Sequence, residues 1–194
     1  MARTKVFDEE EVLDKAMNLF WQKGYNATSA QDLVDTLGIS RSSLYDTYGD
    51  KHTLFVKALQ QYRKERIDPV IKEVNSAEDA EAYIRNFFEL VKTAALAENS
   101  SMGCFMVNSA VEMAPVDSEV ATIANSIMHD TENAVCKVIQ KGQDAGVFTT
   151  RYPAIALARF VLNSLNGLRV TVKFDTNQQM FDDILNICLS ALKG

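Results

Sequence analysis

The chain has 194 residues, 47% of them hydrophobic and 24% charged, with a formal net charge of −6. That is the composition of an ordinary globular protein of one large or two small domains, and it excludes a fibrous repeat or an intrinsically disordered chain. Three scattered cysteines (Cys104, Cys136 and Cys188), a start without an apolar leader and the lack of any long uncharged apolar run predict a cytoplasmic protein with no disulfide framework and no membrane span.

With only eight glycines and three prolines, the chain favours long helices over a many-turned β architecture. The first helix is predicted over residues 9–23. Asp8 and Glu11 form a capping-box pair there, Gly24 closes the end, and Val12, Leu13, Ala16, Leu19 and Phe20 share one face. The next stretch, TSAQDLVDTLGISRSSLYDTYGDK from Thr28 to Lys51, reads as two short helices around a glycine turn. Thr28 caps the first, with Gln31 completing a capping box, and Leu33, Val34 and Leu37 give it an apolar face. Gly38 ends it and Ser40 caps the second. Leu44 and Tyr48 lie four apart and anchor the second helix. Its free side then holds Ser42 and Asp46, flanked by Ser43 and Tyr45. A helix-turn-helix presents a recognition helix to the DNA major groove in this way.

A fourth helix follows Asp50 through HTLFVKALQQYRKERID, and Pro69 ends or kinks it. Further helices are predicted at 76–98 (capped by Ser76, with Tyr83, Phe87, Phe88 and Val91 on one side), 103–113, 117–144, 153–174 and 178–192. That makes nine helices and no strand, an all-α fold. Charge alone does not point to nucleic acid. Residues 1–60 hold seven Lys or Arg against nine Asp or Glu, and the acids cluster on the first helix. Positive charge can still gather on another face through Arg3, Lys5, Lys23, Arg41 and Lys51.

The segment GYNATSAQDLVDTLGISRSSLYDTYGDKHTLF is similar to the DNA-binding signature of the TetR/AcrR family of bacterial transcription regulators. The resemblance is carried by Gly24-Tyr25, Thr28-Ser29, Leu33-Val34, Gly38-Ile39-Ser40, Leu44-Tyr45, Tyr48, Lys51 and Leu54-Phe55. Departures are Ser42 where many members have glycine, Thr47 where many have histidine or tyrosine, and Asp50 for a common serine. The resemblance implies a three-helix helix-turn-helix DNA-binding domain at 1–53 and an approximately six-helix ligand-binding and dimerisation domain at 54–194. It implies a repressor that binds a palindromic operator as a homodimer and is released by a small-molecule or electrophile effector. Thr28 and Ser29 would then meet a phosphate through backbone N–H and hydroxyl groups. Tyr45 and Lys51 would hold phosphates, and Arg41, Ser42, Ser43 and Thr47 would approach base edges.

In SSMGCFMVNSAVEMAP, Cys104, Asn108 and Glu112 recur at every fourth residue and line one helix face. A polar stripe on an apolar helix must be satisfied internally or bind something. The G-C-x-x-x-N-x-x-x-E arrangement resembles one branch of the same family, in which some regulators respond to electrophiles through a cysteine. Cys104 lies at a helix N-terminus, where thiols are more reactive. The alternative is that Cys104 is a core residue while Asn108 and Glu112 tie down a loop. With the aromatic residues Tyr62, Phe87, Phe88 and Phe105, these three form the candidate effector site; Tyr83 belongs to the same aromatic set.

His52 and His129 are isolated, so no metal site is expected. No phosphate loop or nucleophile elbow is present, so neither a cofactor nor an enzyme activity is expected. The alternative function is a helical small-molecule-binding protein or enzyme with a vestigial helix-turn-helix. The last two helices carry the stripes Ile155, Ala158, Leu162, Leu165, Leu168, Val172 and Phe181, Ile184, Leu185, Cys188, Leu192. The resemblance implies that these two helices form a four-helix dimer interface with a second copy.

Overall fold

Short polar side chains set most of the helix starts. In the computed structural model, which describes residues 7–74, 77–97 and 102–194, all regular structure among the described residues is helical. The elements are α1 (Glu9–Lys23), α2 (Ala30–Leu37), α3 (Arg41–Tyr48), α4 (Lys51–Tyr62), a π turn (Arg63–Ile67), α5 (Asp68–Glu73), α6 (Ala80–Leu96), α7 (Phe105–Met113), α8 (Ser118–Asp144), α9 (Ala154–Thr171) and α10 (Gln178–Lys193). Asp8, Ser29, Ser40, Asp50, Asp79, Asp117 and Asn177 each accept a backbone N–H at a helix start. Each satisfies a donor that the first turn would leave orphaned.

Two of the predicted caps move. The cap of α2 is Ser29 with Asp32, not Thr28 with Gln31. Thr28 is buried and its hydroxyl donates to the Gly24 carbonyl, so the next hydroxyl takes the helix end. The cap of α6 is Asp79. Ser76 lies outside the described residues, as do Arg3, Lys5 and Glu98, and 77–79 are not helical.

Pro69 neither ends the fourth helix nor simply kinks it. Proline lacks an N–H and crowds the carbonyl four residues back, here that of Glu65. The chain widens for one turn, with the Asp68 N–H bonding to the Arg63 carbonyl, and the helical course then continues as α5.

The apolar side chains form two cores. One unites α1–α4 with α7 and the first half of α8, from Val12, Phe20, Leu33, Leu44 and Phe55 to Phe105, Val120 and Ile127. The other unites α6, the second half of α8, α9 and α10, through Ile84, Phe88, Val138, Leu162, Leu165, Phe181 and Leu185. With 27 residues, α8 is about 40 Å long and serves both. Ion pairs of Glu81 with Lys193 and of Lys92 with Asp182 fasten α6 to α10, and Arg159 with Glu132 fastens α9 to α8.

The stripes of α9 and α10 are spent inside the chain. Leu162, Leu165, Leu168, Leu185 and Leu192 are all buried without any partner. The outer faces of the same helices carry Phe160, Val170, Phe174 and Ile187, all exposed. Gly167 lies among them with open space where a Cβ would stand.

Candidate nucleic-acid interface and effector cavity

The reading head is built from α2 and α3. Gly38 turns the chain between them with φ +68°, the left-handed conformation glycine adopts without a Cβ penalty. Leu33, Leu37, Ile39, Leu44 and Tyr48 are buried beneath the turn, and the Tyr48 hydroxyl donates to the Glu9 carbonyl at the start of α1. Fixing these residues leaves Arg41 and Ser42 exposed and Ser43, Tyr45 and Thr47 partly so. The Arg41 guanidinium sits 5.8 Å from the centre of the Tyr45 ring. Ser42 and Ser43 lie with their hydroxyls 3.0 and 2.9 Å from that of Ser40, which itself accepts the Ser43 N–H. The structure therefore gathers Arg41, Ser42, Ser43, Tyr45 and Thr47 on one helix.

Ser29, at the start of α2, is exposed. Its capping partner Asp32 is 2.6 Å from Lys23. That lysine, followed by the Ser29 hydroxyl and N–H, holds the Asp32 carboxyl well below the usual carboxylate range. The pair leaves the α2 start with little net negative charge.

Two residues expected at phosphates make contacts within the chain. Thr28 has its hydroxyl bonded to Gly24 and its N–H to the Tyr25 carbonyl, so neither is left for a phosphate. Lys51 donates to the Thr28 carbonyl at 2.6 Å and lies 4.3 Å from the Tyr25 ring centre. Burial lowers its pKa below the ordinary lysine value. Lys51 braces the approach to α2 from below.

The polar stripe of α7 has separate duties. Glu112 accepts N–H bonds from Tyr25 (3.0 Å) and Asn26 (2.8 Å), in the connection between α1 and α2. Gly24 has φ +84°, and a Cβ there would stand 2.9 Å from the Glu112 carboxylate. Asn108 donates to the Met102 carbonyl, which also receives the Trp21 indole N–H. Asn108 and Glu112 tie down chain segments and do not line the cavity described next. Both roles were open in the sequence, and the partners that decide for Glu112 lie 87 and 86 residues away.

The cavity has a volume of about 570 Å³. It lies where α1, the π turn, α5, α6, the start of α7 and the end of α9 meet. Of the candidate effector-site residues, Tyr62, Phe87 and Cys104 line it. Phe88 and Phe105 do not; each is buried in one of the two cores, Phe105 packing 5.8 Å from Phe55 and 5.7 Å from Tyr62. Tyr83 lies outside it too and donates to the Val70 carbonyl. Cys104 is buried, 3.4 Å from the Tyr62 hydroxyl. Burial, then neighbouring Cys104, pushes the Tyr62 phenol far up, so it stays protonated. Cys188 is buried and Cys136 half-buried, and burial raises both thiols.

Trp21, Arg169 and Leu90 line the cavity without having been singled out in the sequence. The signal for Arg169 was a cation beside the apolar stripe of α9. Trp21 gave a weaker one, as the chain's sole tryptophan at the end of α1. Gly103 is required here, because a Cβ would stand 2.6 Å from the Arg169 carbonyl. Among the described residues, no cluster of three His, Cys, Asp or Glu side chains could hold a metal ion. No described helix is long and apolar enough to cross a membrane.

Comparison with known proteins agrees with both halves. The family of bacterial regulatory proteins of the tetR type matches residues 12–58, and the tetracyclin repressor-like C-terminal domain matches 80–187. The chain is 32% identical to YezE, an uncharacterized HTH-type transcriptional regulator of Bacillus subtilis, covering 99% of this chain and 100% of that protein. It is 29% identical to the HTH-type transcriptional repressor ComR of Escherichia coli, covering 88% and 82% respectively. Among solved structures, a cysteine-substituted form of the regulator CifR complexed with 26-bp operator DNA superposes with a TM-score of 0.83 at 23% identity, covering 98% of this chain and 100% of that one. At that identity the likeness establishes the fold.

Proposed function

Since the chain belongs to the TetR family of bacterial regulatory proteins, we propose that it is a cytoplasmic transcriptional repressor, not an enzyme, released from a palindromic operator by a small-molecule effector. The observation that carries this reading is the free face of α3. Arg41, Ser42, Ser43, Tyr45 and Thr47 stand together while Leu44 and Tyr48 take up the packing. Residues 1–53 read DNA, and 54–194 hold the effector and the partner subunit. Arg41, Ser42, Ser43 and Thr47 meet base edges, while Tyr45, Ser29 and the first backbone N–H groups of α2 meet phosphates. Thr28 and Lys51 position α2. The name of ComR as a repressor and the operator bound to CifR support this reading.

The homodimer forms through the outer faces of α9 and α10, where Phe160, Val170, Phe174 and Ile187 await cover. We place the protein in the branch marked by Gly103, Cys104, Asn108 and Glu112. Two elements carry the effector's influence from the cavity to the head. One is α4 with its π turn, and the other is α7, which runs from Cys104 at the cavity wall to Glu112 under the α1–α2 connection. An effector must bind the DNA-incompetent arrangement more tightly, or it shifts nothing.

Fluorescence anisotropy with DNA from beside the protein's own gene tests the reading. Wild type should bind specifically, with affinity falling steeply as salt rises. Tyr45→Ala should weaken binding to every sequence, and Arg41→Ala should change which bases are preferred. Equal binding by all three proteins at physiological salt would contradict it.

A further inference from the structure

We propose that the effector is an apolar molecule ending in a carboxylate, and that Arg169 is the residue that holds the carboxylate. The proposal rests on the reading of the 570 Å³ cavity as the effector site and adds the chemical class of its ligand. That volume falls within the usual range for small-molecule sites. Trp21, Phe87, Leu90, Val91 and Val172 supply apolar wall, which suits a hydrocarbon or aromatic body.

Four charged residues line the cavity, and their placement is unequal. Glu65, Glu73 and Arg66 are exposed, whereas Arg169 is half-buried. Glu65 already accepts a hydrogen bond from Gln61. Arg169 lies in the wall shared with a smaller cavity of about 30 Å³, which reaches the buried side chains of Met106, Ile127 and Leu162. Its guanidinium is 5.8 Å from the centre of the Phe87 ring, and Nη1 donates to Asn166 Oδ1 at 3.2 Å. Among the described residues it makes no ion pair with a carboxylate. A guanidinium has five N–H donors in a planar fork that matches a carboxylate. One neutral acceptor and one ring face leave most of that capacity for a ligand.

Another lining residue agrees in sign. Arg169 and Arg66 both act on the Tyr62 phenol, drawing its pKa down against the larger upward push of burial. Positive potential therefore reaches the Tyr62 end of the cavity. The protonated phenol, now 3.4 Å from Cys104 Sγ, is a donor that a ligand carboxylate can recruit as well. A cationic ligand would meet Arg169 with no buried carboxylate to offset it. A neutral one would leave the guanidinium unpaired.

The chain's single tryptophan supplies the assay, because Trp21 lines the cavity and its emission responds to filling. Phenylbutyrate, phenylbutanol and phenylbutylamine share one apolar body and differ in the terminal group. Titrated into the full-length protein, the acid should bind at least about tenfold more tightly than the alcohol, with the amine weakest. In Arg169→Met, which keeps the volume, acid and alcohol should bind alike. Arg169→Gln provides the same comparison should the methionine variant fail to fold. Arg66→Met should retain most of the preference. Equal or tighter binding of the alcohol by wild type overturns the proposal while leaving the cavity as the effector site. Retention of the acid preference without Arg169 also overturns it. If none of the three changes Trp21 emission, both the ligand class and the reading of the cavity fail.

Discussion

Asp32 shows how one carboxylate can hold the start of the first helix of the helix-turn-helix. It takes the Ser29 N–H and hydroxyl while pairing with Lys23. Its pKa is depressed, so it contributes to folding fully above the ordinary carboxylate value of 3.8 and loses that contribution as pH falls through its lower folded value. A carboxyl titration followed by NMR should therefore place the Asp32 midpoint below 3.8, and Lys23→Ala should move it up. A midpoint at or above the ordinary value in wild type would contradict the arrangement. Gly38 and Ser40 were legible in the sequence because their roles are local, a left-handed turn and a cap within four residues. The choice between Thr28 and Ser29 was not. Both hydroxyls fit the spacing, and the bond from Thr28 back to the Gly24 carbonyl, set by how the chain turns after α1, decides it.

The α7 helix links the two parts of the molecule through contacts that join distant segments. Asn108 and Cys104 lie beside the cavity wall, and Glu112 holds two N–H groups more than 80 residues earlier in the chain. An i, i+4, i+8 stripe reveals that these side chains share a face. It cannot reveal what stands opposite. Removing the Glu112 carboxylate leaves the Tyr25 and Asn26 N–H groups without their acceptor, a loss of about 1–3 kcal/mol for a buried donor and less where water reaches it. Glu112→Ala should accelerate hydrogen exchange at Tyr25 and Asn26 by about tenfold or more, lower DNA affinity and leave the α9–α10 core intact. Unchanged exchange at those two amides would remove α7 from the account of coupling. The π turn is a second case of partial legibility. Pro69 announced a disturbance in the helix, but whether the chain would stop, bend or widen depended on packing beyond it.

At the scale of the whole molecule, the nine helical courses among the described residues were readable because apolar periodicity is a local signal, counting 51–73 as one course through the π turn. The division into two cores was not readable, since it depends on where along α8 each neighbour packs. The stripes of α9 and α10 left two uses open, a core within one chain or a face for a second copy. Their strength reflects burial within one chain, and the faces left for a partner are sparser. Leu165→Asp should thus unfold the protein, because it places an unpaired charge in a fully buried site. Ile187→Asp should leave helical content unchanged and shift the sedimenting species toward monomer, since Ile187 is 64% exposed. A folded Leu165→Asp monomer, or an Ile187→Asp dimer of wild-type stability, would reverse the assignment of the two faces. Dimerisation matters to the function because a single α3 reads only one half-site. Two copies related by a two-fold axis place a second α3 one helical turn of DNA or a multiple away. Hydroxyl-radical footprinting of DNA beside the protein's own gene tests that directly. The predicted result is two symmetric protected half-sites that vanish together in Tyr45→Ala and in Ile187→Asp at matched concentration. A single asymmetric footprint, or protection that persists in both variants, would contradict the reading of α3 as the DNA-reading element of a two-fold dimer.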